Sequence, residues 1–259
     1  VGDAIVSNTW RDDAGQTIKQ QSGASDAFTK MVFDGLGRLT DQYAGYDTDE
    51  TSYSDADDVT GDTILQQTEV DFDESGNTIQ TTSYARKHTA SGTGELTTST
   101  ARVTYNAAWF DDANRPTDSA AYGTNGGSAF SRPTSAPSRS DTVLVTSTEY
   151  NTAGQAYKTT DPAAAESRRE FDDAGRTTKT IGNYTDGNPA TGGSDEDVTV
   201  EMAYNSDGKL TTLTAKNPTT SEQVTTYVYG TDVGGITPEI YRNDVLRAEI
   251  YPDSDDTTS

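Results

Sequence analysis

The residues that could act as a nucleophile, a general base or a metal ligand are few in this sequence of 259 residues. It has one histidine, His88, which stands beside Arg86 and Lys87, and it has no cysteine. A serine nucleophile would therefore depend on His88 alone, and the usual zinc centres need several His or Cys ligands. Carboxylates are abundant, but glycoside hydrolysis needs two of them at a set separation in a cleft. We predict that the chain is not an enzyme, with no catalytic residue and no cofactor.

Calcium is the one ligand that the sequence leaves open. Asp71, Asp73 and Ser75, followed by Gly76, match the opening of a calcium-binding loop. The twelfth position from Asp71 is Thr82, where an EF-hand has a bidentate glutamate. The same residues also fit a β-turn. We therefore prefer the turn interpretation and keep calcium as the alternative.

The composition indicates a sheet with little apolar core. Hydrophobic residues make up 31% of the chain and the net charge is −23, which together approach the composition of disordered proteins. The 14 Tyr, 6 Phe and 2 Trp, however, recur at regular places, and threonine is abundant. Because Thr and Tyr fit a pleated, half-solvated surface, we predict an all-β fold with one solvated face or a hollow shell.

The charge pattern argues against two classes of partner. With 42 acidic against 19 basic residues, the chain lacks the basic surface that nucleic acid binding needs. It has no apolar run of the roughly 18 residues that membrane insertion requires. Residues 39–85 carry acidic side chains but no Lys or Arg. We interpret this stretch as a solvated face, with cation binding or adaptation to high salt as alternatives.

One short motif recurs along the chain: an aromatic residue, Asp or Asn, two variable residues, Gly, and then usually a basic or amide residue. A degenerate copy covers 11–16, directly after Trp10, and a last copy surrounds Tyr229 and Gly230. The first, second and fifth positions of the six clear copies are Phe33, Asp34 and Gly37; Phe72, Asp73 and Gly76; Phe110, Asp111 and Asn114; Tyr150, Asn151 and Gly154; Phe171, Asp172 and Gly175; and Tyr204, Asn205 and Gly208.

Each position of the motif has a physical role in a hairpin turn. The aromatic residue ends a strand, and Asp or Asn opens a type I turn by hydrogen bonding to the backbone two residues on. The glycine supplies a positive φ and completes a three-residue hairpin loop with a bulge, and Asn is the best substitute for it. The alternating segments that follow each motif are typical of half-buried strands. The sequence thus predicts repeated antiparallel β-hairpins in an extended, curved or spiralling sheet.

The spacing of the motifs predicts one continuous repeat array over residues 1–259. Inserted loops near 123–141 and 182–197 are rich in Gly, Ser and Pro or Asp, and we expect them to be exposed. The repeats begin near Trp10 and continue through 239–251. Because terminal repeats normally need capping, we expect the array to be a segment of a longer chain.

The motifs resemble the tyrosine–aspartate (YD) repeats of the RHS family, whose hallmark is Tyr-Asp-x-x-Gly-Arg-Leu followed by Thr-rich strands. The likeness is closest in 160–176, where Asp161 and Pro162 precede the copy that begins at Phe171. The resemblance implies strips of hairpins that spiral into a hollow β-shell, as in bacterial toxin complexes, polymorphic toxins, wall-associated proteins and teneurin-like adhesion proteins. The family's self-cleaving core motif of the Asp-Pro-x-Gly type is not found in these 259 residues. The resemblance therefore implies a scaffold role and carries no catalytic residues.

We therefore expect a non-catalytic structural or adhesive scaffold in a secreted or cell-surface protein. One alternative is a self-assembling filament or tube subunit, because unpaired strand edges recruit further strands. A further alternative is part of a toxin-encapsulating shell. The expected partners are adjoining repeats or other copies of the chain, and carbohydrate or another surface protein is a further candidate.

Overall fold

The structure is a computed structural model that describes residues 7–23, 25–48, 53–217, 222–230 and 244–252. Within these ranges the chain is all-β, apart from a three-residue 3-10 helix at Asn125–Gly127. The sixteen strands are β1 Ser7–Arg11, β2 Thr17–Ser22, β3 Ala27–Phe33, β4 Leu39–Tyr46, β5 Thr63–Phe72, β6 Thr78–Arg86, β7 Ala101–Phe110, β8 Pro116–Gly123, β9 Leu144–Tyr150, β10 Ala156–Thr160, β11 Glu166–Phe171, β12 Thr177–Gly182, β13 Val198–Tyr204, β14 Leu210–Ala215, β15 Gln223–Tyr229 and β16 Leu246–Ile250.

Strands that follow one another in sequence pair antiparallel, from β1 through β8 and from β9 through β16. Short connections favour this order because an antiparallel neighbour needs only a few residues to reverse the chain. The prediction of an all-β fold built from repeated antiparallel hairpins is confirmed. The part of the predicted array at 239–243 lies outside the described residues.

The chain divides into two compact units, Val1–Thr146 and Ser147–Ser259, with the boundary inside β9. In the first unit, side chains of the longer strands alternate between a covered and an open face. In β7, Val103, Tyr105 and Trp109 are buried, whereas Arg102 and Asn106 at alternate positions are exposed. This period of two is what a sheet with one covered face requires.

Connecting segments cover that face in the first unit. Val59 and Leu96, from the connections 47–62 and 87–100, join the buried cluster around Ile64. Phe130, from the connection 124–143, stacks on Tyr105 with 5.1 Å between ring centroids. The inserted loop that we expected to be exposed near 123–141 is therefore partly folded onto the sheet. Removing the apolar ring of Phe130 from water is favourable, and this holds the loop there.

The second unit has a thinner core. Most side chains of its strands are half-buried, as in β10 and β14, where every residue is of intermediate exposure. Ile181 and Thr199 are among the few buried strand residues that the structure describes there. No helix in the described ranges is long and apolar enough to span a membrane.

Candidate functional site: the motif edge of the sheet

The repeated motif forms one edge of each unit. In the six clear copies the motif connects an odd-numbered strand to the even-numbered strand that follows it. Alternate connections of an antiparallel sheet lie at the same end of the strands. The turns at 34–37, 73–76 and 111–114 therefore lie side by side at one end of the strands of the first unit. Those at 151–154, 172–175 and 205–208 do the same in the second unit. We call this end of the strands, where the motif turns lie, the motif edge.

The turn that begins at Asp34 shows how the motif folds. The Asp34 N–H donates to the Arg38 carbonyl at 2.9 Å, and the Gly37 N–H donates to the Asp34 carbonyl at 2.9 Å. The Asp34 side chain accepts hydrogen bonds from the N–H groups of Leu36 and Arg38, at 2.9 and 3.0 Å. The carboxylate thus satisfies the two turn amides that the hairpin ladder leaves without a partner.

The same pair of backbone bonds closes the turns that begin at Asp12, Asp73, Asp111, Asn151, Asp172 and Asn205. The fifth motif position has φ between +58° and +89° in the six clear copies and in the copy at 11–16, and the low end of this range belongs to Asn114. In each clear copy the aromatic residue is the last residue of its strand. A bulge displaces the register by one residue at that point.

Three copies have arginine at the sixth position, and each arginine folds back on its own aspartate. The Arg176 Nε donates to Asp172 Oδ2 at 2.7 Å, and the second guanidinium nitrogen lies 2.6 Å from the same oxygen. Arg38 with Asp34 and Arg115 with Asp111 repeat this arrangement. Hydrogen bonds from the arginine hold the pKa of the Asp172 carboxyl below its usual value, since they favour the charged form.

The sixth residue also reaches the next copy along the edge. Arg38 donates to the Asp73 carbonyl at 3.2 Å and lies over the Phe72 ring, 4.5 Å from its centroid. The Asn77 amide donates to Asn114 Oδ1 at 3.0 Å. A Cβ on Gly37 would stand 2.7 Å from Nε2 of Gln16, so the first copy packs against the second as well.

The second unit repeats these contacts. Gln155 donates to the Gly175 carbonyl at 3.1 Å, Arg176 lies 4.5 Å from the Tyr204 ring centroid, and Lys209 lies 5.0 Å from the centroid of Tyr229. We call the whole set of contacts from a sixth residue to the following copy the turn ladder. Each cation–ring contact of this kind contributes on the order of 0.5–1 kcal/mol at a partly exposed site. The ladder therefore couples neighbouring hairpins through several modest contacts.

The two degenerate copies of the motif share some of the contacts of the six clear copies. In the first one, Arg11 takes the aromatic position, and its guanidinium donates to the Gly15 carbonyl at 2.8 Å. In the last one, Tyr229 ends β15 and the Gly230 N–H donates to the Val245 carbonyl at 3.1 Å. Residues 231–243, which follow this copy, lie outside the described part of the chain.

One turn with the same geometry was missed by the sequence analysis. Asp161 opens it, its N–H donates to the Ala165 carbonyl at 3.0 Å, and the Ala164 N–H donates back to the Asp161 carbonyl at 3.0 Å. Ala164 has φ +67°, in the region that normally takes glycine or asparagine. The turn joins β10 to β11, so it lies at the edge opposite to the motif edge. Alanine at the fifth position concealed it, although Asp161 before Pro162 was a usable turn signal.

A second missed feature is a buried carboxylate that organises the connection 183–197. Asp197 is fully buried and accepts hydrogen bonds from the N–H groups of Thr185 and Gly187, at 2.9 and 3.0 Å, and from the Thr185 hydroxyl. Burial alone would raise the pKa of Asp197, but these hydrogen bonds outweigh it and hold the pKa well below the usual value. Nothing in the local sequence separates this aspartate from its acidic neighbours.

The residues considered for chemistry lie apart from one another. Asp73 uses its carboxylate within the turn, where it accepts from the N–H groups of Ser75 and Asn77 at 2.9 and 2.8 Å. Asp71 lies in β5 opposite Gln80, and His88 is exposed in the connection after β6. Over the described ranges, no three His, Cys, Asp or Glu side chains are grouped so as to hold a metal ion. Calcium binding and the absence of enzyme activity remain predictions.

Comparisons with known proteins find solved structures of limited structural similarity and no relatives by sequence. No protein-family model matches the chain, and no curated protein matches it. A crystal structure of TcdB2-TccC3-TEV is 13% identical with a TM-score of 0.46, covering 86% of this chain and 11% of that one. A crystal structure of TcdB2-TccC3 is 14% identical, again with a TM-score of 0.46 and the same coverage. A Photorhabdus luminescens Tc holotoxin pore is 14% identical with a TM-score of 0.36, covering 86% and 12%.

This chain thus spans about a tenth of the length of the solved chains that it matches. The sequence identities are too low to carry any residue's role from those proteins to this one. The resemblance to RHS-type repeats accordingly continues to rest on the motifs.

Proposed function

We propose that this chain is a non-catalytic scaffold, a strip of hairpins that forms part of a larger secreted or cell-surface repeat protein. Its role is to supply a long, stiff sheet on which adjoining repeats or other chains assemble. The proposal concerns mechanical and architectural function. It assigns no substrate and no cofactor.

The turn ladder is the observation that supports this proposal most strongly. The Asp or Asn at the second position and the basic or amide residue at the sixth position direct their polar atoms to their own turn or to the next one. Arg38, for example, contacts Asp34 in its own turn and both Phe72 and Asp73 in the next. Repeated contacts of this kind join each hairpin to the next, as expected of a repeat array whose units contact chiefly their neighbours.

The charge of the chain fits a scaffold that is exposed to solvent. A net charge of −23 disfavours non-specific association at low salt, because like-charged copies repel one another. Filament or tube formation by the isolated chain would have to overcome this repulsion. We therefore place self-assembly second and enclosure of a toxin third.

Hydrogen exchange on a ladder variant tests the proposal. Arg176→Met removes the guanidinium that bridges Asp172 and the Tyr204 ring, while methionine keeps much of the side-chain volume. The matched control is Arg169→Met, which removes the same charge from an exposed position of the neighbouring strand β11. We expect faster amide exchange in β13 and β14 for Arg176→Met, and wild-type exchange there for Arg169→Met.

Sedimentation and electron microscopy of the wild-type chain provide the second arm of this experiment. A folded monomer or small oligomer with the expected exchange pattern supports the scaffold. Regular filaments or tubes at low protein concentration would instead favour the self-assembling subunit. Equal exchange in the two arginine variants would contradict the idea that the ladder couples neighbouring hairpins.

A further inference from the structure

The first unit contains a buried pair of opposite charges beneath the connection 47–62. Lys30 lies in β3, and Asp62 lies immediately before β5. The Lys30 Nζ is 2.6 Å from Asp62 Oδ2, and the two side chains are only 3% and 1% exposed. Burial of this degree is rare for either residue type, because two ions lose their hydration together.

Two backbone carbonyls orient the lysine nitrogen. Besides Asp62, Nζ contacts the carbonyl oxygens of Asp55 and Asp58, at 2.5 and 2.6 Å. A neutral amine has two N–H bonds and one lone pair. Because Lys30 Nζ also donates to Asp62 Oδ2, transfer of that proton to the carboxyl group leaves two N–H bonds on the two carbonyls and a lone pair on the side of Asp62, as a nucleophilic amine needs.

The surroundings favour the neutral form of the Asp62 carboxyl group. Burial raises the pKa of Asp62, and the nearby Asp47 carboxyl raises it further, against the lowering effect of Lys30. Asp62 Oδ1 has no hydrogen-bond partner within the described residues, so one oxygen of the buried carboxyl lacks the donors that a stable anion would need.

A second buried lysine lies beside the pair. Lys19 is 1% exposed, and burial and then the charge of Lys30 lower its pKa. Its Nζ lies 4.7 Å from the ring centroid of Trp10 and 5.0 Å from that of Phe28, and Lys30 Nζ lies 4.8 Å from the same Phe28 ring. The attacking amine therefore lies in a buried pocket next to a second amine and an aromatic ring.

We propose that Lys30 and Asp62 become joined by an intramolecular isopeptide bond, which forms within the folded chain without any other reactant. The Lys30 lone pair attacks Cγ of Asp62, the new C–N bond forms, and one C–O bond of the carboxyl group breaks. Asp47 takes the one proton that the attacking amine loses and passes it to the departing hydroxyl of the Asp62 carboxyl group, which leaves as water. The reaction is a condensation in which nothing is oxidised or reduced.

The bond would give the chain a covalent cross-link that its composition otherwise lacks. The sequence has no cysteine, so a disulfide cannot tie the connection 47–62 to the sheet. An amide between β3 and the start of β5 would close a covalent loop through β4. Closing a loop restricts the unfolded chain, which stabilises the folded state and resists pulling forces. This inference does not depend on the scaffold role proposed above.

Intact-mass measurement under denaturing conditions is the direct test. The wild-type chain is expected to be lighter than its sequence mass by one water molecule, and tandem fragmentation is expected to yield one branched peptide joining Lys30 to Asp62. Lys30→Met and Asp62→Ala should both have the full sequence mass. Lys158→Met, which removes a half-buried ion-paired lysine of the second unit, is the matched control and should still lose the water.

Two further variants test the chemistry itself. Asp62→Asn should condense with loss of ammonia in place of water, which gives a product of the same mass as the cross-linked wild type. Asp47→Asn should slow the reaction in a time course while the fold, followed by circular dichroism, is retained. A folded wild-type chain of full sequence mass would overturn the proposal. A lost water that maps to another position, such as the Asp34–Gly35 step, would overturn it equally.

Discussion

At the residue scale, the fifth position of each motif depends on a positive φ. Gly175 has φ +81°, whereas Ala174 beside it is an exposed turn residue with no such requirement. We predict that Gly175→Val lowers the free energy of unfolding by about 1–2 kcal/mol more than Ala174→Val does, since a β-branched residue is strained in the left-handed region. Matched thermal or urea unfolding of the two variants measures the difference, and equal losses would contradict it.

Ala164, in the turn opposite to the motif edge of the second unit, allows the reverse substitution, in which glycine is introduced at a position of positive φ. It has φ +67° without being glycine or asparagine, so the wild-type backbone is strained there. We predict that Ala164→Gly raises the free energy of unfolding by roughly 0.5–1 kcal/mol, because relief of strain exceeds the added entropy of the unfolded chain.

The control for this variant is Ala163→Gly, one residue earlier in the same turn, where φ is not positive. It should be neutral or destabilising, since it gains no relief from strain. Urea unfolding compares the two glycine variants with the wild type. Destabilisation by Ala164→Gly would show that the turn at 161–165 is not formed as described.

At the scale of the elements, the aspartates that open the turns make the hairpins sensitive to acid. Hydrogen bonds from the sixth residue hold the pKa of Asp34, Asp111 and Asp172 below the usual value. A lowered pKa in the folded state contributes stability that is present above the unfolded pKa, near 4, and is lost as the pH falls through the folded value. We therefore predict that stability declines progressively below about pH 4.

Asp172→Asn isolates one of these contributions. Asparagine can accept the same backbone hydrogen bonds, as Asn151 does naturally, but it neither titrates nor pairs with the Arg176 charge. The variant should be less stable than the wild type at neutral pH and lose less stability on acidification. Asp173→Asn, at the exposed neighbouring position, should follow the wild-type pH curve. Parallel curves for Asp172→Asn and the wild type would contradict the assignment.

The elements were predictable from the sequence where local chemistry decides them. The turns follow from an Asp or Asn and a Gly three residues later, because both act within the same turn. The turn at Asp161 was not predictable from the motif, because alanine takes the glycine position there. The Lys30–Asp62 contact was not predictable either, because residues 32 positions apart meet only after β3, β4 and β5 have paired.

The packing of connecting segments onto the sheet could not be predicted either, because it also depends on contacts between residues far apart in sequence. The connection 124–143 has the composition of an exposed loop, yet Phe130 and Arg132 hold it to the sheet, with the Arg132 guanidinium donating to the Ala108 carbonyl at 2.7 Å. One aromatic ring among Ser, Gly and Pro residues is a weak signal in sequence. Its effect depends on an open face of Tyr105 that only the folded sheet supplies.

At the scale of the whole molecule, the excess of acidic residues predicts a stability that rises with salt. The net charge of −23 produces repulsion within the folded chain, and the Debye length falls from about 30 Å at 0.01 M to about 8 Å at 0.15 M salt. We predict that the midpoint of thermal unfolding increases when sodium chloride is raised over this range. A midpoint that falls would show that attractive ion pairs outweigh the repulsion.

Comparing calcium with magnesium in the same unfolding experiment distinguishes general screening of the acidic charges from specific binding of calcium. If Asp71, Asp73 and Ser75 form only a turn, calcium should raise the midpoint no more than magnesium does at equal ionic strength. A rise specific to calcium, abolished by Asp71→Asn, would instead support the calcium alternative. Differential scanning calorimetry with both ions measures this difference.

Residue-resolved amide exchange of the wild-type chain tests directly whether the chain is a regular array of coupled hairpins. The hairpin strip requires slow exchange at the fifth-position N–H of each turn, including Gly37, Gly76 and Gly175, because each donates to the carbonyl of the residue that opens its turn. Protection should recur at that position in both units and extend into the paired strands. Rapid exchange at these amides, or protection confined to one or two of the turns, would contradict the account of a regular array of coupled hairpins.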